Sequence, residues 1–299
     1  MTAPDELERA AYEAWDREDW DGAAQGLTEL VALLPDSERS PAWWFDLALA
    51  HKFRKDWARA YELGKQAAAR YPRGEQEPAF WNLGIAATIM RDWATARDAW
   101  QGYGLTLPPG DGEIDADLGL ACVRLEPDGE PEVVWVRRVC PARARVVSVP
   151  LTADRRFGEV VLHDGAPSGE RVVDGVRYPV FDELMLWATS DLPTLSVTVT
   201  ASGADVEELA ELFAAAGLGA EPAGNARVLC ACCDEGNERG EGNERSEGGE
   251  GGEARDRHAG DGTRRVWLAA PPDRAAELLA EWRGRAPGRD WTGLAEAHG

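Results

Sequence analysis

One tripeptide frame recurs three times: Glu18-Asp19-Trp20, Lys55-Asp56-Trp57 and Arg91-Asp92-Trp93, at spacings of 37 and 36 residues. Such a period is a mark of stacked supersecondary units. Three residues after each Trp stands a small residue, Ala23, Ala60 or Ala96, and fifteen residues after it a proline, Pro35, Pro72 or Pro108. Ahead of the second and third triplets lie Trp44, Leu47, Ala48 and Phe80, Leu83, Gly84, each set spaced to share one helix face. The small residues mark close helix approach. The prolines, lacking an amide donor, end helices.

This pattern resembles the tetratricopeptide repeat (TPR) family over residues 5–108. The segment FWNLGIAATIMRDWATARDAW fits it best, and the first unit carries only Leu7, Ala10 and Ala11 in the leading positions. The resemblance implies three antiparallel helix pairs over 1–108, each about 36 residues rather than the family's usual ~34. One pair cannot bury its own apolar face, so neighbours must stack. Eight of the thirteen tryptophans lie in this stretch, suited to filling gaps between helices.

In the family, the first helix of each pair lines a concave surface, which sets the expected partner-binding residues. They are Tyr12 and Trp15, then Phe45, Leu49, Lys52 and Phe53, then Trp81, Ile85, Thr88 and Ile89. A second apolar helix face needs a cover. The expected occupant is an apolar or amphipathic polypeptide, with the chain's own second domain or another copy as the alternatives. A carboxylate clamp is not expected, because Glu8, Phe45, Trp81, Tyr12, Leu49 and Ile85 stand where such a clamp needs basic or amide side chains.

The net charge of −22 argues against nucleic-acid and anionic-membrane partners. No apolar run approaches the roughly 20 residues that span a bilayer, and the acidic start MTAPDELERA does not read as a secretory signal. Five cysteines, an odd number, suit a reducing compartment. The expectation is a cytoplasmic protein, with a composition rich in Ala, Gly, Arg, Asp and Glu that suggests a bacterial source.

Past the Pro/Gly-rich loop at 108–113 the texture changes, giving an α+β multidomain chain. Between 114 and 192, β-branched runs alternate with turn signals, predicting a small antiparallel sheet or open barrel. Within it, PDGE (127–130) and DGAPSG (164–169) read as hairpin turns, and FDELMLWATS as a short helix. From 193 to 299 the expected order is strand, helix, strand, strand, helix, strand, which is the ferredoxin-like order. It uses TLSVTVTA, DVEELAELFAAAG, ARVLCACC, RRVWLAA, PDRAAELLAEWRGR and DWTGLAEA. Asp205 is a possible cap and Gly217 a stop for the first helix. The acidic, Gly-rich stretch 234–262 has no apolar anchor and is expected to be a disordered insertion.

Few residues suggest chemistry. Cys230 and Cys233 have the C-x-x-C spacing that can share a zinc ion, but two further ligands are wanting: Cys232 alternates away on a strand and His258 lies in the acidic stretch. His163-Asp164 fits turn chemistry better than a metal pair, and Asp182-Glu183 a helix start better than an acid/base pair. His51 falls on the packing stripe, and Gly217-x-Gly219 follows a helix rather than a strand, so it is no dinucleotide fingerprint. Three functions remain open: an interaction scaffold without cofactor, a zinc-thiolate sensor or enzyme sited in the C-terminal half, and a homo-oligomeric structural protein.

Overall fold

In the computed structural model, residues 4–125, 132–173, 175–223 and 262–297 are described. The chain is α+β: among the described residues six helices come first, then two sheets with two further helices. It divides into two compact units, one of Met1–Asp117 with Val139–Ala142, the other of Leu118–Arg138 with Arg143–Gly299.

The helices of the first unit are α1 (Pro4–Asp16), α2 (Trp20–Leu33), α3 (Ser40–Phe53), α4 (Trp57–Ala68), α5 (Pro78–Ile89) and α6 (Trp93–Tyr103). Each recurring triplet sits at the turn inside a pair. Glu18, Lys55 and Arg91 take positive φ values of 58°, 57° and 57°. The next residue is an aspartate whose side chain caps the second helix: Asp19 accepts from Gly22 N, Asp56 from Arg59 N, and Asp92 from Thr95 N. The same aspartates close the first helix, since their N–H groups donate to the carbonyls of Ala14, His51 and Ala87. One tripeptide therefore ends one helix and starts the next, and the Trp is the first helical residue.

Small residues set the spacing. Ala23 and Ala96 are wholly buried and Ala60 nearly so. A Cβ on Gly84 would stand 2.6 Å from the Trp100 ring, and one on Gly102 would stand 2.5 Å from Phe80. Thus α5 and α6 meet glycine against aromatic in both directions. Leu27, Leu30, Trp43, Leu47 and Ala50 form the core joining the first pair to the second.

In the second unit, β1 (Leu120–Leu125), β2 (Glu132–Cys140), β3 (Arg143–Val146), β4 (Val160–Val173) and β5 (Val176–Ala188) form a closed barrel. Its neighbours run antiparallel in β1–β2, β3–β4 and β4–β5, and a parallel β1–β5 pairing closes it. The interior is filled by Ala121, Val123, Leu125, Val134, Val136, Ala144, Val146, Val161 and Phe181.

Two expectations for this region are corrected. FDELMLWATS is not a helix: it lies mainly in β5, paired with β4 through Leu162–Met185 and Val161–Leu186. Asp182 and Glu183 are strand residues, not a helix start. DGAPSG is not the hairpin turn either. It is an irregularity within β4, where the register slips between His163, Pro167 and Gly169; Pro167 is tolerated there because a bulge spares it a ladder donor. The hairpin turns at Gly175, φ 78°, between the paired Val173 and Val176. PDGE lies outside the described residues.

The other sheet has the order β7-β8-β6-β9, all neighbours antiparallel, built from β6 (Thr194–Thr200), β7 (Gly219–Pro222), β8 (Thr263–Ala269) and β9 (Asp290–Glu296). Helix α7 (Gly203–Ala215) links β6 to β7 and α8 (Pro272–Arg285) links β8 to β9. Their apolar faces bury Val206, Leu209, Phe213, Leu278, Leu279 and Trp282 against Leu195, Val197, Val199, Val266 and Leu268. The N-cap of α7 is Ser202; Asp205 is its reciprocal partner in a capping box. Gly217 follows α7 with φ 72°. The expected strand ARVLCACC lies outside the described residues; the strand after α7 is the earlier Gly219–Pro222.

Candidate functional site

Polar ties run from one helix pair to the next and hold the array in register. Tyr12 Oη donates to Asp46 Oδ2 at 2.6 Å, linking α1 to α3. Trp43 Nε1 donates to Glu8 Oε1 at 2.9 Å. Lys52 Nζ donates to Asn82 Oδ1 at 2.8 Å, and Tyr61 Oη to Asp92 Oδ2 at 2.6 Å. Burial raises the Asp46 carboxyl, opposed by the Tyr12 hydrogen bond, and burial with the Asp46 carboxylate beside it raises the Tyr12 phenol strongly. The phenol is the donor of this pair and the Asp46 oxygen its acceptor.

The ten residues read as groove lining divide into three groups. Lys52, Ile85 and Thr88 are buried, with Ile85 and Thr88 at 0% exposure, so they offer no open surface. Thr88 turns its hydroxyl back to the Gly84 carbonyl at 2.7 Å, and the Lys52 ammonium is engaged by Asn82. Trp81 is held within its own pair, 5.0 Å from Trp100 and 4.8 Å from Tyr103, both edge-on. Phe45, with Lys52, faces a crevice of about 10 Å³ between α3, α4 and α5, bounded by Ala48, Ala60, Asn82 and Ala86. That crevice holds about one water.

The remaining five keep some exposure: Tyr12, Trp15, Leu49, Phe53 and Ile89. Phe53 is 42% exposed at the end of α3 and stacks into a trio with Trp20, 4.6 Å away, and Trp15, 5.9 Å away. Trp15 and Trp20 meet edge-on at 5.1 Å. The structure thus gathers Trp15 with Phe53 and places Tyr12 beside Asp46, while Trp81, Ile85 and Thr88 are used in packing. Trp20 and Asp46 join these residues although the groove stripe does not include them: Trp20 belongs to the recurring triplet, and the sequence signal for Asp46 is an acid in the middle of an otherwise apolar helix.

His51, expected in the core, is half-buried, with Nδ1 3.1 Å from Asp56 Oδ2. In the barrel, His163 is wholly buried and stacks 4.7 Å from the Phe181 ring, its Nδ1 2.6 Å from the Asp164 carbonyl. Burial lowers its pKa to about 4, so it is a neutral core histidine. Glu183 is buried and takes both ends of the Arg155 guanidinium, at 2.7 and 2.8 Å, while Glu159 takes Arg155 Nε at 2.9 Å. This network ties the segment before β4 to β5. Glu221 on β7 is pushed up to about 7, first by burial.

Among the described residues no group of three or more His, Cys, Asp or Glu side chains is placed to hold a metal ion, and no helix is long and apolar enough to cross a membrane. Cys230, Cys232, Cys233 and His258 lie outside the described residues. Cys122 and Cys140 are buried thiols, and burial raises that of Cys122. No protein-family model matches the chain, and no curated protein is similar to it.

Proposed function

We propose that this chain is an interaction scaffold whose TPR-type array holds an apolar or amphipathic polypeptide, joined to a barrel and a ferredoxin-like sheet. Three helix pairs with one shared turn chemistry support the first assignment. Two interleaved strand-helix-strand crossovers in the order β7-β8-β6-β9 support the last.

The observation that carries the binding reading is the aromatic trio Trp15, Trp20 and Phe53, with Phe53 left 42% exposed beside Leu49 on α3. Aromatic side chains with a rigid apolar face are the usual anchors of polypeptide recognition. The docking surface we assign is therefore Tyr12, Trp15, Leu49 and Phe53, on α1 and α3, rather than the whole expected groove.

The test is affinity capture with the wild-type chain and with Leu49→Glu/Phe53→Glu, followed by titration of the purified captured protein. Loss of at least tenfold in affinity, with helicity unchanged by circular dichroism, is expected. Equal affinity for both chains would reject this surface.

A further inference from the structure

We propose that a polar cavity in the second unit binds a small zwitterion, an α-amino acid, through charges of both signs. This site is separate from the helical array and does not depend on polypeptide binding there.

The cavity measures about 250 Å³ and is lined by Arg156, Ser190, Asp191, Pro193, Thr194 and Glu296, all of the second unit. Pockets for drug-sized molecules run to roughly 300–1,000 Å³, so this one suits a smaller ligand. Its walls come from the stretch before β4, the link from β5 to β6, the start of β6 and the end of β9. Backbone bonds fix them. Ala297 N donates to Thr194 O at 2.9 Å, and Ala270 N donates to Pro193 O at 3.3 Å. Leu192 N donates to Ser190 Oγ at 3.3 Å. Arg156 Nη1 donates to the carbonyls of Ala153 and Arg155, the latter at 2.9 Å, which anchors the guanidinium.

Arg156, Asp191 and Glu296 border one cavity, yet among the described residues none of the three forms an ion pair. Thr194, 5% exposed, has a hydroxyl without a hydrogen-bond partner. A buried orphan of that kind calls for a polar partner. A ligand carboxylate suits the Arg156 guanidinium, which takes carboxylates in a planar fork. A ligand ammonium suits Asp191 and Glu296. An anion alone would lie against two carboxylates, and a cation alone against the guanidinium, each an unfavourable like-charge contact. A zwitterion meets both signs at once.

Saturation-transfer NMR of the full chain with a mixture of the common L-amino acids tests this. The strongest binder is then compared with its own amide, which lacks the carboxylate, and with its N-acetyl derivative, which lacks the ammonium. At least one amino acid is expected to bind, and each derivative at least tenfold more weakly. Arg156→Gln and Asp191→Asn/Glu296→Gln are each expected to weaken that amino acid at least tenfold with an unchanged thermal midpoint. Asp191 and Glu296 are exposed, so the double variant keeps the fold and decides the matter if Arg156→Gln does not. Absence of binding by every amino acid in the mixture would overturn the proposal. So would equal binding of the amide or the N-acetyl derivative, or unchanged affinity in the double variant.

Discussion

Asp92 serves two helix pairs at once: Oδ1 accepts from Thr95 N at 3.0 Å to cap α6, and Oδ2 accepts from Tyr61 Oη of α4 at 2.6 Å. The Tyr61 hydrogen bond, then those of Thr95, holds the Asp92 carboxyl below its ordinary range. Asp92→Ala should cost about 1–2 kcal/mol as a lost cap with a second bond broken. A carboxylate with a lowered folded pKa contributes stability above its unfolded pKa and loses it as pH falls through the folded value. Tyr61→Phe raises that folded value, so the acid-unfolding midpoint should move to higher pH. An unmoved midpoint, followed by circular dichroism, would show that the bond does not bias ionisation.

Lys55 and Arg91 hold the left-handed backbone that a β-carbon disfavours, by roughly 1 kcal/mol. Replacement by glycine removes that strain but loosens the unfolded chain. Lys55→Gly or Arg91→Gly should therefore stabilise by about 0.5 kcal/mol, whereas the corresponding alanine variants should not. Urea unfolding with unchanged m-value would check this.

The Gly84–Trp100 contact predicts a steric penalty. Gly84→Ala places a methyl 2.6 Å from the indole, so α5 and α6 must separate, at about 1–3 kcal/mol. Thermal melts would show it, and Trp100→Leu in the same chain should recover part of the loss.

Buried His163 and half-buried Glu221 give opposite pH slopes. His163, lowered to about 4, makes folding weaker as pH falls from its unfolded value near 6.5 toward 4, because only the unfolded chain binds that proton. Glu221, raised to about 7, makes folding weaker as pH rises from about 4.5 to 7, because only the folded chain keeps its proton. Unfolding free energies measured from pH 4 to 7 should lose one slope in His163→Gln and the other in Glu221→Gln.

The positions of the second helices were legible in the sequence because the cap, the strained residue and the Trp are neighbours in the chain. The roles of the first-helix faces were less so. Trp44 and Phe45, adjacent in α3, face different neighbours: Arg70 lies over the Trp44 ring, while Phe45 borders the crevice to α5. Thr88 is wholly buried with its hydroxyl turned back to the Gly84 carbonyl, a use that the spacing of the stripe does not reveal. The region 181–190 misled because Asp, Glu, Leu and Met favour helices. Pairing with β4, and Arg155 waiting for Glu183 from 28 residues away, decided for strand. Gly175, at φ 78° between the paired Val173 and Val176, marks the turn inside a run whose β-branched residues read as continuous strand.

The docking surface on α1 and α3 is best tested by amide hydrogen exchange of the wild-type chain with and without its captured, purified partner. Protection should concentrate in residues 8–16 and 45–53 and leave 194–200 and 263–269 unchanged. Protection confined to those two strands, with α1 and α3 exchanging as before, would contradict the account.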